Sequence, residues 1–133
     1  MYQSHFFEAI DSTNNEAKQM AKTQKVKCPQ ALLAKTQKKG RGQKGRHWES
    51  SNGGFYYSLL IPNPNISLSN PSEIITIVGE VTIKTLRELY QIKPILEWPN
   101  DIILNDKKLG GILIESVSKG STEAPSYVII GIG

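Results

Sequence analysis

The apolar positions switch between two periods along the chain. His5–Ile10 alternates and predicts a short strand. Asp11-Ser12-Thr13 then reads as a turn into a helix running to about Gln24. Thr13 and Glu16 occupy capping-box positions, where hydroxyl and carboxylate satisfy end-of-helix donors. Ala31–Thr36 reads as a buried strand, Gln37–Gly53 as a long polar loop bearing glycines, and Gly54–Ile61 as an aromatic and apolar strand. After a loop over Pro62–Asn70, Asn70-Pro71-Ser72-Glu73 resembles a helix start, with an Asn cap, Pro at the first helical position and Glu at the third. The segment that follows is rich in β-branched residues, which keeps a strand in play. Its length, and Ile74, Val78, Val81 and Leu89 on one helical face, favour a helix to about Leu89.

From Ile95 the pattern is strand-like. Ile95–Trp98, Ile102–Leu104, Leu109–Val117 and Tyr127–Ile132 are apolar runs, and Asn105-Asp106 predicts a tight hairpin between the second and third. There are no internal repeats and no low-complexity segments. The elements add up to one α+β domain with a mostly antiparallel sheet. Tyr127–Gly133 reads as a bare apolar edge, which invites aggregation. The expectation is therefore a fragment, or a missing segment that completes the sheet.

The chain has 133 residues, of which 38% are apolar and 21% charged, so it is neither disordered nor fibrous. The net charge of +4 conceals a strong asymmetry. Ten of the sixteen Lys and Arg residues lie between Lys18 and Arg46, where there is no Asp or Glu. Such a stretch suits nucleic acid, a membrane surface or phosphate; the plainer reading is a solubilising helix face and a lysine-rich loop. The lone Cys28 cannot form an internal disulfide, which points to a reducing, cytoplasmic setting. No apolar run reaches the ~18 residues of a membrane span, and Met1–Ile10 lacks a signal-peptide pattern. His5, His47 and Cys28 are scattered without ligand spacing, so no metal site is expected.

Two stretches carry candidate chemistry. Lys38-Lys39-Gly40-Arg41-Gly42-Gln43-Lys44-Gly45-Arg46-His47-Trp48 formally matches the dinucleotide fingerprint, but a strand follows where that motif needs a helix. It also fails as a P-loop, since Arg46-His47 replaces the Lys-Ser/Thr pair. Its glycines still let backbone N–H groups form a concavity, and Arg41, Lys44 and Arg46 add charge suited to phosphate or carboxylate. Trp48 can stack on a planar base or cap the loop with apolar surface. A flexible basic hairpin loop and a nucleic-acid contact loop share this composition. The second stretch is Glu97-Trp98-Pro99-Asn100-Asp101 followed by Asp106-Lys107-Lys108-Leu109-Gly110-Gly111-Ile112-Leu113-Ile114-Glu115. On a hairpin, Asp101 and Lys108 would flank the turn, and Gly110-Gly111 suggests close approach of a ligand or another backbone. Lys108 there can hold an anion as a point charge, or the pair can be a plain cross-strand ion pair.

Together these pieces resemble the biotin–protein ligase, or biotin–[acetyl-CoA-carboxylase] ligase, family. The matching stretches are Asp11-Ser12-Thr13-Asn14, Gln37 with Gly40-Arg41-Gly42 to Trp48, Trp98-Pro99-Asn100-Asp101 with Lys108 to Leu113, and Gly131-Ile132-Gly133. The resemblance implies a core like that of class II aminoacyl-tRNA synthetases, with helices against a mixed, mainly antiparallel sheet. It implies that biotin and MgATP give biotinyl-5′-AMP, and that a lysine of a biotin carboxyl carrier protein then takes the biotin. It implies that Lys108 bridges the biotin carboxylate and α-phosphate, with Arg41 and Arg46 ordering over them. Asp101 would assist the acceptor amine. Ser12, Thr13, Asn14, Gln37, Gly42 and Gln43 would line the biotin site; Trp48, Asn100 and Gly131 would join Arg41 and Arg46 on the nucleotide side. Gln43 stands where the family commonly has arginine, which removes one charge from the adenylate site, and Glu97 stands where lysine is usual. Residues 1–133 then correspond to the N-terminal two-thirds of a catalytic domain, without a helix-turn-helix domain or a C-terminal β-barrel domain, so DNA is not an expected partner. A homodimer is left open. The alternatives are a lipoate or octanoate transferase of the same fold, a basic nucleic-acid-binding module, and an inactive fragment. Lys108 with Gly110-Gly111, distant from the basic stretch, is the feature that nucleic-acid binding does not require.

Overall fold

The structure, a computed structural model, describes residues 1–64, 71–120 and 125–133. In chain order the elements are β1 (Gln3–Phe7), α1 (Thr13–Thr23), β2 (Gln30–Ala34), β3 (Tyr56–Pro62), α2 (Pro71–Tyr90), β4 (Ile95–Glu97), β5 (Asp101–Leu104), β6 (Lys107–Val117) and β7 (Tyr127–Ile132). The strands make one seven-stranded sheet in the order β1-β2-β3-β7-β6-β5-β4. Only β1 and β2 pair in parallel; every other neighbouring pair is antiparallel.

Several expectations shift. The first strand lies earlier than His5–Ile10, and Ile10 makes only an isolated bridge to Gln37. Ser12, not Thr13, caps α1: its backbone is extended and its Oγ accepts from the Asn15 N–H at 3.3 Å. Ser12 Oγ therefore takes the capping role, and Thr13 is already helical. Pro71 does open α2, while the proposed Asn70 cap lies outside the described residues, as does most of the Pro62–Asn70 loop. The predicted inward face of α2 holds in part: Ile74 is buried and Val78 packs against the core. Val81 and Leu89 are exposed, whereas Ile75 and Ile83 are buried. Gly79 lets the helix approach β4 closely, since a Cβ there would sit 2.8 Å from Leu96.

The last strand is not a bare edge. β7 lies at the centre of the sheet, paired with β3 on one side and β6 on the other. Its unbroken apolar run is explained by burial of both faces.

Two apolar clusters fill the two sides. Ala17, Met20 and Ala21 of α1 pack with Leu32, Leu60, Val117 and Ile129. Ile75 and Ile83 of α2 pack with Ile102 and Ile112, joined by Ile114. Along β6, Ile112 and Ile114 alternate with Glu115 and Val117, so the helices cover opposite faces. The face that carries α1 also carries the loop between β2 and β3.

The β5–β6 turn matches its prediction. Asn105 and Asp106 are its two residues, both with positive φ (50° and 60°), as a two-residue hairpin with the right twist requires.

Candidate functional site

The glycine-bearing loop folds back as a small hairpin over the α1 face. Its base is closed by Gln37, whose N–H donates to the Ser50 carbonyl at 3.2 Å and whose Nε2 donates to Ser50 Oγ at 2.9 Å. Farther out, the Trp48 N–H donates to the Gly40 carbonyl at 2.9 Å, and Gly42 N–H to the Arg46 carbonyl at 2.8 Å. The tip, Gln43–Gly45, turns through positive φ at Lys44 and Gly45. Gly40 is required by proximity: a Cβ there would lie 2.4 Å from the Trp48 carbonyl oxygen.

The second cationic element is the β5–β6 hairpin. Its register shifts between Ile102 and Ile103, so Ile102 faces Gly110 while Ile103 faces Lys108. That bulge leaves Leu109 over and re-aims Lys108. Lys108 Nζ lies 2.8 Å from Asp101 and 5.2 Å from the centre of the Trp48 ring, within cation–π range. The Trp48 indole lies against Gly111 of β6 and Gly133 just after β7; a Cβ at either would meet it at 3.1 Å or 2.6 Å. Gly110 serves the other purpose anticipated for the pair, approach of a second backbone, because a Cβ there would sit 2.6 Å from the Gly133 carbonyl oxygen. Asn100 is pinned beside them, its Nδ2 donating to the Ile112 carbonyl at 3.0 Å.

Between loop and hairpin lies a cavity of about 630 Å³, a size typical of small-molecule sites. It is lined by Ser12, Thr13 and Asn14 at the start of α1, by Gln37, Arg41, Gly42, Gln43, Arg46 and Trp48 from the loop, and by Asn100, Asp101, Lys108 and Gly131 from the sheet. Every residue singled out from the sequence as catalytic or binding is thus brought to one hollow. Tyr56, Tyr57, Leu113 and Ile132, which sequence reasoning missed, add aromatic and apolar wall.

Several of these groups already hold one another. Thr13 N–H and Oγ1 both donate to Gln37 Oε1, at 2.8 and 3.1 Å. The buried Ser58 hydroxyl lies within hydrogen-bond reach of Thr13 Oγ1 and Asn14 Oδ1. Asn14 sits over Gly131, where a Cβ would clash at 2.4 Å. A further residue, assigned no role from the sequence, is Glu115. Its carboxylate accepts from Lys18 Nζ at 2.6 Å, Arg41 Nη2 at 2.7 Å and Asn14 Nδ2 at 2.9 Å. Burial alone would raise its pKa. The hydrogen bonds from Lys18, Asn14 and Arg41, with the Arg41 charge, outweigh that and hold it below the ordinary carboxylate value. One signal was available: Glu115 is the single charged residue in Leu109–Val117.

The result is a basic cavity roofed by a glycine loop on a mainly antiparallel sheet. The chain belongs to the Biotin/lipoate A/B protein ligase family, whose model matches residues 6–133. It is 35% identical over 130 residues to the bifunctional ligase/repressor BirA of Escherichia coli, covering 93% of this chain and 37% of that protein. Its fold is similar to that of the biotin protein ligase of Aquifex aeolicus in complex with biotin and ATP (TM-score 0.79, 31% identity, 98% of this chain and 50% of that one). It is also similar to the biotin protein ligase of Leishmania major in complex with biotinyl-5-AMP (TM-score 0.81, 30% identity, 98% and 56%). The chain therefore spans about a third to just over half the length of these proteins. The α+β architecture expected from the resemblance, like a class II synthetase core, is the one observed.

Proposed function

We propose that this chain carries the adenylating site of a biotin ligase, as part of its catalytic domain. The reaction is activation of biotin as biotinyl-5′-AMP by ATP, followed by transfer to a lysine of a biotin carboxyl carrier protein of acetyl-CoA carboxylase. The observation that carries the reading is the meeting of Arg41, Arg46 and Lys108 around one hollow. Two anions, a carboxylate and a nucleotide triphosphate, must approach each other there, and fixed cations offset their repulsion.

In the first step a biotin carboxylate oxygen attacks the α-phosphorus, the bond to the bridging oxygen breaks, and pyrophosphate leaves. Lys108 sits between the carboxylate and the α-phosphate, and Arg41 and Arg46 draw charge off the phosphate oxygens. The hydroxyl and amide groups of Ser12, Thr13 and Gln37 recognise biotin, with Asn14, Gly42 and Gln43 shaping its site. Leu113 and Ile132 accept its apolar chain. Trp48, Asn100 and Gly131 form the nucleotide side. In the second step the acceptor amine attacks the acyl carbon and AMP leaves, with Asp101 beside Lys108 placed to take the amine's proton. The loop hairpin shields the mixed anhydride from water.

Asp101 is the only carboxylate among the residues lining the cavity, and the described residues hold no cluster of three or more potential metal ligands. With that donor set, Mg²⁺ would be held mainly by the nucleotide's phosphates, with Asp101 the lining carboxylate able to join them, and would supply positive charge to offset that of the pyrophosphate. The free Cys28 fits a reducing, cytoplasmic setting for the reaction.

The deciding experiment is pyrophosphate release by the full chain with MgATP, with and without biotin. Biotin-dependent release is expected, and lipoate or octanoate in its place should give none. Release independent of biotin, or none at all, overturns the proposal.

A further inference from the structure

Glu115 ends the second sequence stretch, where nothing gave it a role, yet it organises one wall of the site. Every other residue of Leu109–Val117 is uncharged. The strand alternation turns Glu115 toward α1, where its two oxygens receive three donors. Oε1 takes Lys18; Oε2 takes Arg41 and Asn14. The Arg41 guanidinium is then held at a second point, because Nε donates to Asn15 Oδ1 at 2.7 Å. The Glu115 and Arg41 side chains are 15% and 29% exposed, so this pair is shielded in a way that surface ion pairs are not. The carboxylate also answers an electrostatic problem. Lys18 and Arg41 converge on this spot, and without an anion between them they would repel.

We propose that Glu115 is the positioning residue for Arg41: it fixes the guanidinium to the sheet so that the arginine faces the cavity in one orientation before substrate arrives. An arginine on a long loop otherwise samples many rotamers, and a site works best when that freedom is already lost. Asn14 extends the arrangement. It donates to Glu115 on one side and meets the buried Ser58 hydroxyl on the other, and Ser58 in turn meets Thr13, which holds Gln37 at the base of the loop. The same polar chain therefore ties Gln37 and Arg41, two points on the first limb of the loop, to α1 and leaves the Gln43–Gly45 tip as a separate turn. As a statement about activity, the proposal rests on the biotin-activation reading; as a statement about where Arg41 is held, it does not.

Two measurements on the full chain separate these. Trypsin cuts after Arg41 and after Arg46, and mass spectrometry gives the ratio of the two. Glu115→Gln should raise cleavage after Arg41 relative to Arg46 by at least ~5-fold, because cleavage follows the freed fraction of that segment. Glu115→Asp, which keeps the charge, should fall between Gln and wild type, and it carries the comparison if the Gln variant does not fold. In the second measurement, single-turnover formation of biotinyl-AMP is compared in Glu115→Gln, Arg41→Ala and the double variant. The double variant should be no slower than Arg41→Ala alone, since Glu115 acts through Arg41. An unchanged cleavage ratio, or losses that multiply in the double variant, overturns the proposal. If wild type makes no biotinyl-AMP, the biotin-activation reading fails while the trypsin ratio still decides the role of Glu115.

Discussion

The β5–β6 hairpin and the glycine loop deliver cations to the same cavity, but they are held there by different means. The hairpin is built from neighbours. A two-residue turn sets its register, a bulge re-aims Lys108, and Ile102 anchors it in the α2 cluster. The loop is built from strangers: Gln37 bonds to Thr13 24 residues away, and Arg41 to Glu115 74 residues away. Each is therefore vulnerable in a different place. Apolar packing governs the hairpin, whereas buried polar contacts govern the loop.

The largest effect that tests this division is expected from Ile102→Ala. Ile102 is 2% exposed, and removing such a side chain costs about 2–4 kcal/mol through lost burial and a residual cavity. Urea unfolding of the variant should show that loss, while tryptic cleavage after Arg41 relative to Arg46 stays as in wild type. A variant that loosens the loop as much as the hairpin would erase the distinction.

Next in size is Lys108→Ala. Biotinyl-AMP formation should fall at least ~10-fold, since loss of a charged contact to a reacting anion exceeds about 1.4 kcal/mol. Unfolding should change far less, because Lys108 is about half exposed and its partner Asp101 is partly solvated. Single-turnover adenylation at the wild-type rate would remove Lys108 from the reaction.

The same contrast explains what could be read in the sequence. The hairpin was legible because its information is local: Asn105-Asp106 between two apolar runs specifies turn and register together. The glycine loop was legible in composition but not in its attachment. Nothing near Arg41 in sequence announces that it will meet Glu115 and Asn15. The partly shifted face of α2 has a related cause. Ile74 and Val78 do turn inward, but Val81 and Leu89 satisfy helical spacing as well as Ile75 and Ile83 do, and the position of β4 and β6 selects the latter pair. For β7, an apolar run is equally consistent with an edge and a centre. The strand is placed at the centre by β3 and β6, two earlier strands that pair with its opposite edges.

The smallest effect is also the one most particular to the loop, and it appears on acidification. In the folded chain the Glu115 pKa lies below its ordinary value, because three donors favour the carboxylate more than burial disfavours it. The unfolded chain therefore binds this proton more readily than the folded one between those two values. The stabilisation is fully present above the ordinary carboxylate value and is lost as pH falls through the lowered, folded one. Glu115→Gln cannot ionise, so the difference in melting temperature between wild type and this variant should favour wild type near neutral pH and shrink steadily as pH drops below about 4.5. Added salt should shrink it much less, because a partly buried pair is poorly screened. A difference that does not change with pH would mean that Glu115 is not held as an anion. The loop would then be fastened by shape and neutral hydrogen bonds, and its contrast with the hairpin would lose its electrostatic basis.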